Sequence, residues 1–335
     1  MTNTILTPNE KLTGSGDQCA QILGRLAQFR SDLRQALRLA EKYPHLTFST
    51  LDKVIAGFGA EDLAVFEAGV QSAAERFAEF GVGGLLPLER VFVGTRSMEP
   101  AFGGFHYGLL TDRQADDTQN PGYRYVQAAA VITKYGDLHG AGIAAPGVVG
   151  LDLLRAYVHD CFHWATFRSF RLGVDGGIHR NQHGINFRRE NGATYSARDM
   201  AGSALTRNLG VIMEGAFDRE AMGSAARAAA VLGVTCPKDG VDRFAFLDAV
   251  GAPTVGDSPN SYTRTINAPY AAFLAEEAGA DERDLHELII RASLDGDLGP
   301  LQRWLDGRHG PGEYTALFRS NAYVPASAAT YQFLG

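Results

Sequence analysis

The stretch His159-Asp160-Cys161-Phe162-His163 places the tightest constraint on how this chain can fold. It lies inside Leu151–Arg171, where the spacing predicts one long helix ending near Gly173. Residues four apart on a helix stand on one face, one turn from each other. Two neutral imidazoles held that way converge on one ion without backbone distortion. Further along, Glu214-Gly215-Ala216-Phe217-Asp218 falls in a second helix-like segment. A carboxylate from that segment can close a two-histidine, one-carboxylate site with a position left open for water. The site forms only if the fold lays those two segments side by side.

At 335 residues the chain is long enough for a large core and for two packed lobes. Its 45% hydrophobic and 21% charged content is that of an ordinary soluble globular protein. The net charge is −7 and no long basic run occurs, which argues against nucleic acid as a partner. No stretch reaches the roughly 18 apolar residues that a membrane span needs. Met1–Gly14 is polar and lacks the apolar core of a secretory signal, so the expected location is the cytoplasm. Cys19, Cys161 and Cys236 are too few and too scattered for a disulfide framework. Cys161, between the two histidines, reads as a small buried hydrophobe.

Along the chain, 1–16 reads as a flexible polar start. Asp17–Tyr43 and Ala60–Phe80 carry apolar residues at three- and four-residue spacing and predict helices, with Asp52–Gly59 as a connector or short helix. Glycine and proline become frequent after Gly81, and Arg90–Gly94 and Tyr123–Tyr135 are the best strand candidates. Gly176–Tyr195 reads as an irregular hairpin with Asn191-Gly192 as a turn. Ser203 or Asn208 can cap the helix that runs through Glu214 toward Leu232. The rest predicts helices over Val241–Val250, Tyr270–Ala278, Asp281–Leu294 and Leu298–Leu305. The expected class is α+β and predominantly helical: a small mixed sheet packed on a metal-binding helix, with helical N- and C-terminal portions. The expected divisions are 1–82, 83–232 and 233–335.

The chemistry of the first motif follows from its residue types. Asp160 projects about 100° around the helix from His159, where it addresses a water on the cation rather than the cation itself. Zinc lowers the pKa of such a water to about 7, and a nearby carboxylate can take the proton. His-Glu-x-x-His followed downstream by Glu-x-x-x-Asp is the signature of the gluzincin, or thermolysin-like, zinc metallopeptidases. His159-Asp160-Cys161-Phe162-His163 with Glu214-Gly215-Ala216-Phe217-Asp218 resembles it. The resemblance implies zinc ligation by His159, His163 and Glu214. It implies that Asp218 hydrogen-bonds the first histidine from behind, fixing its tautomer. It also implies an edge strand before the metal helix, here Tyr123–Tyr135 or Leu138–Ala145, able to pair with an extended peptide. The departure is Asp160, which stands where the family has Glu and is about 1.5 Å shorter in reach, against a proton-transfer separation of about 2.6–3.2 Å.

A second polar concentration, Gly176–Ser196, lies between the two ligand segments. Arg180 and Arg188 there can clamp a substrate carboxylate in bidentate fashion. His183 or Tyr195 can donate to a developing oxyanion. A solvated hairpin with charged faces is the plainer reading of the same residues. Arg168 and Arg171, at the expected end of the metal helix, suit the helix dipole.

The leading expectation is a cytoplasmic zinc hydrolase, a metallopeptidase or amidase, acting on a peptide or small amide. Asp160 would be its general base, helped by His183 or Tyr195. One alternative is a haem-dependent oxygenase using His159 or His163 as an axial ligand. Fe(II) in a two-histidine, one-carboxylate site is another. A third is a pseudoenzyme that binds a partner peptide. The sequence leaves the oligomeric state open.

Overall fold

The computed structural model describes residues 9–28, 48–94, 104–106, 124–126, 145–187, 206–251, 263–312 and 314–315. Helices dominate them and the strands are short, the predominantly helical α+β arrangement expected. The first half holds strand β1 (Glu10–Thr13), helix α1 (Gly16–Gln28), β2 (Phe48–Thr50), α2 (Leu51–Ile55), α3 (Ala60–Glu79), β3 (Val91–Gly94), β4 (Gly104–His106) and β5 (Arg124–Val126). There follow α4 (Val148–Ala165), β6 (Arg168–Leu172), β7 (Ile178–His183), β8 (Asn186–Phe187) and α5 (Leu209–Leu232). The last helices are α6 (Gly240–Val250), α7 (Ala268–Ala278), α8 (Glu282–Asp295) and α9 (Gly299–His309). Among the described residues no helix is long and apolar enough to cross a membrane.

Two small mixed sheets flank the helices. One has the order β1-β6-β7-β8, with β1 parallel to β6 and the other pairs antiparallel. The other has the order β2-β3-β5-β4, with β3 and β5 parallel, and its β4 and β5 pack against α4. The core is built on α4 and α5, with α3 and α6 laid against both. At Gly69 of α3 the side chain of Leu154 occupies the space a Cβ would need, so α3 and α4 approach closely.

An aromatic column fixes the rotation of α4. Phe162 lies 4.5 Å from Phe77 of α3 and is stacked at 5.4 Å on Phe217 of α5, ring centre to ring centre. Each such pair adds about 0.5–1.5 kcal/mol beyond its buried area. With Phe162 seated there, His159 and His163 are turned toward α5.

The structure corrects two readings of the local sequence. The long helix stops at Ala165 instead of continuing toward Gly173. Thr166 Oγ1 donates to the Phe162 carbonyl at 2.7 Å, and the chain then enters β6. Arg168 and Arg171 are therefore strand residues and do not complement the end of α4. Arg168 is buried, donates to the backbone carbonyl of His163 and pairs with Glu10 Oε1 at 3.5 Å. The second correction follows from that pair. Residues 10–13, expected to be part of a flexible start, form β1 because a buried Glu10 meets Arg168 and the backbone pairs with β6. Neither partner is visible in a local window. Of the strand expected over Tyr123–Tyr135, Arg124–Val126 is β5. The remainder of that segment, Leu138–Ala144 and the Asn191-Gly192 turn lie outside the described residues.

Candidate metal centre

Helix α4 presents His159 and His163 one turn apart. Helix α5 begins at Asn208, whose Oδ1 accepts from the amides of Gly210 (2.8 Å) and Val211 (3.4 Å). That cap is one of the two expected, and it puts Glu214 in the second turn, facing α4. The three expected ligands meet. His159 Nε2 lies 3.0 Å from His163 Nε2, and Glu214 Oε2 lies 3.2 Å from the first and 3.1 Å from the second. Among the described residues these three form a group able to hold a metal ion.

The edge lengths carry chemical content. Two atoms about 2.0–2.1 Å from one ion stand about 3.3–3.4 Å apart at the tetrahedral angle and about 2.9 Å apart at a right angle. Edges of 3.0–3.2 Å lie between these limits. One ion can cap the triangle on one side and keep its remaining positions on the other. The same edges admit tetrahedral and octahedral ions alike.

Electrostatics also couple the three side chains. His163 and Glu214 are buried, and the His159 side chain is 16% exposed. Burial pulls the His159 imidazolium down, but Asp218 and Glu214 outweigh it and hold the pKa up at about 10. Burial pushes the Glu214 carboxyl up, and the two histidines overcome this and leave it well below the usual carboxylate range. Without a cation, a proton on His159 partly neutralises the two carboxylates.

Asp218, one helical turn after Glu214, stands behind His159, its Oδ1 3.6 Å from Nδ1. That is ion-pair reach and longer than a hydrogen bond. Arg155 holds it in a bidentate grip, Nε to Oδ1 at 3.0 Å and Nη2 to Oδ2 at 2.7 Å. Asn267 Nδ2 adds a bond to Oδ2 at 2.7 Å. Burial raises the Asp218 carboxyl, while Arg155 and His159 more than reverse that and lower it.

The other candidate residues divide. Asp160 is 2% exposed on α4 and is not a member of the metal-holding group. Cys161 is buried, as expected. His183 ends β7 with its ring centre 6.4 Å from that of His163. Arg180 lies 3.2 Å through Nη1 from His183 Nδ1, so its guanidinium addresses the histidine. Residues three apart on a regular strand face opposite ways, but Ser169 pairs with Gln182 and Phe170 with Arg180. The extra residue, Asn181, restores a shared face. Tyr195 and Arg188 lie outside the described residues.

Sequence reasoning missed Arg155 and Asn267. Arg155 had a signal, since it precedes His159 by one turn on the same helix face. Asn267, 49 residues from Asp218, had none. No protein-family model matches the sequence, and no curated protein or solved structure matches it either.

Proposed function

We propose that this protein is a metal-dependent hydrolase of a peptide or small amide, built around a divalent cation held by His159, His163 and Glu214. The convergence of two Nε2 atoms and one carboxylate oxygen within 3.2 Å carries the reading. Zinc is the proposed ion, with Fe(II) accepted by the same donors. Haem fits poorly. A porphyrin on either Nε2 would meet the other imidazole about 3 Å away.

When bound, the cation supplies Lewis acidity and an acidic water. The chain does the rest. Asp160 accepts the proton of the attacking water and delivers it to the leaving amine as the carbon–nitrogen bond breaks. His183 donates toward the carbonyl oxygen; Tyr195 as the alternative donor and Arg188 as a partner for a substrate carboxylate rest on the sequence alone. Asp218 orients His159. The resemblance to the gluzincin signature supports this assignment of roles, with Asp160 in place of Glu. The proposed location is the cytoplasm, and a net charge of −7 without a long basic run speaks against nucleic acid as the partner.

The test is turnover of a peptide library by zinc-loaded protein, read by mass spectrometry. Wild type is expected to cleave, and Asp160→Asn to keep its metal and lose at least about 100-fold in rate, the scale of general-base catalysis. Cleavage by Asp160→Glu alone would contradict hydrolysis as the natural activity and leave a peptide-binding protein.

A further inference from the structure

The turn between β7 and β8 touches both ligand helices, and Asn186 at its end has no place yet in the reaction. Gly184 sits in the turn at φ +55°, and a Cβ on it would meet Met213 Sδ at 2.6 Å and Thr166 Cγ2 at 3.2 Å. Met213 precedes Glu214, and Thr166 ends the turn of helix that bears His163. Gln182 Nε2 donates to the carbonyls of Gly184 (2.8 Å) and Gly296 (3.1 Å), which pins the turn further. His183 and Asn186 are direct partners across the antiparallel pair, so their side chains share one face of the sheet. His183 places that face beside His163.

The two side chains are complementary in hydrogen bonding. Arg180 can only donate, so Nδ1 of His183 holds its lone pair toward the guanidinium. A neutral His183 then carries its proton on Nε2 and is a donor, which suits a carbonyl oxygen and excludes a fourth metal bond through that atom. Asn186 is 3% exposed, and its Oδ1 is buried with no donor in reach among the described residues. A buried acceptor without a partner is costly and calls for an arriving donor.

We propose that His183 and Asn186 form the wall that recognises the reacting group, with the His183 Nε2–H on the carbonyl oxygen and Asn186 Oδ1 on an adjacent N–H. The site then selects an amide over the matching ester, whose bridging oxygen would face Asn186 Oδ1 as a second acceptor. This rests on the metal-centre reading and adds the group that recognises the amide N–H, Asn186. Arg180 is a positioning residue that fixes the His183 tautomer.

The experiment loads the full chain with cobalt(II) and titrates acetohydroxamate and its N-methyl analogue, which lacks the N–H, following the visible absorption of the cobalt. Wild type is expected to bind the N–H form at least about 10-fold more tightly, the scale on which a site built for a donor rejects its absence. Asn186→Leu is expected to bring the ratio below about 2-fold by weakening the N–H form. His183→Gln, which keeps an N–H donor, is expected to retain binding that His183→Phe loses for both compounds. Equal affinities in wild type, or selectivity that survives Asn186→Leu, would overturn the inference. The wild-type ratio decides the matter even if Asn186→Leu does not fold. Failure to load one cobalt per chain sinks the metal reading as well, whereas loading with a ratio near one sinks only this inference.

Discussion

Helix α5 carries two buried polar clusters less than two turns apart, and they differ in where their positive charge comes from. At Glu220 the chain supplies it. Arg76 of α3 donates through Nε at 3.0 Å and Nη2 at 2.7 Å, and it also pairs with Glu287 and Glu79. His286 Nε2 lies 2.9 Å from the same carboxylate, and Tyr270 donates its hydroxyl to His286 Nδ1 at 2.8 Å. Phenol, imidazole, carboxylate and guanidinium form one ordered chain. At Glu214 the nearby arginine, Arg155, is engaged by Asp218, and two imidazole nitrogens face each other across the carboxylate. A cluster with its own guanidinium joins helices together. A cluster of lone pairs that needs a proton to stay together has room for a cation.

The contrast can be broken from either side. The largest expected effect is on metal affinity. Glu214→Gln or His163→Ala should lower it more than about 100-fold, beyond the range for outer partners of a ligand, while Glu220→Gln shifts it less than about 2-fold. Chelator competition reads both, and similar losses in the two variants would erase the distinction. Next is Arg76→Met, which leaves the buried Glu220 carboxylate with His286 as its remaining side-chain partner among the described residues. About 3 kcal/mol of stability should be lost in urea denaturation, with metal affinity unchanged.

The pH dependence sharpens the comparison. His159 is held up at about 10 from an ordinary 6.5, so its stabilisation of the metal-free protein is complete below 6.5 and lost as pH rises toward 10. Glu220 is brought down to about 2 from an ordinary 4.5: burial pushes it up, but His286 and Arg76 outweigh this. Its contribution is present above 4.5 and lost as pH falls toward 2. Denaturation between about pH 6 and 10 should show a declining limb in metal-free protein that His159→Gln flattens and Glu220→Gln leaves alone. The smallest expected effect is that of Asn208→Ala, about 1 kcal/mol from loss of the cap that starts α5, measured as a shifted urea midpoint.

What the sequence made legible and what it hid follow the same physical line. His159 and His163 were readable because helix geometry fixes their relation within one turn, and Asn208 because capping is local. Pairing Glu214 with them needed only a second helix carrying a carboxylate. Strand β6 was hidden because Phe167–Leu172 is short enough to extend a helix or to enter a sheet, and its partners Glu10 and His183 are set by the tertiary fold. The Arg180–His183 contact depends on one extra residue in β7, which no spacing rule anticipates. The role of Asn186 depends on an opposed pair in a two-residue-wide ladder.

Diffraction data collected across the zinc absorption edge, from crystals grown with one equivalent of zinc, test the central assignment most directly. One anomalous peak about 2.0–2.2 Å from His159 Nε2, His163 Nε2 and a Glu214 oxygen is the expected result. Zinc seated elsewhere, or a Glu214 side chain turned away from the two imidazoles, would contradict it.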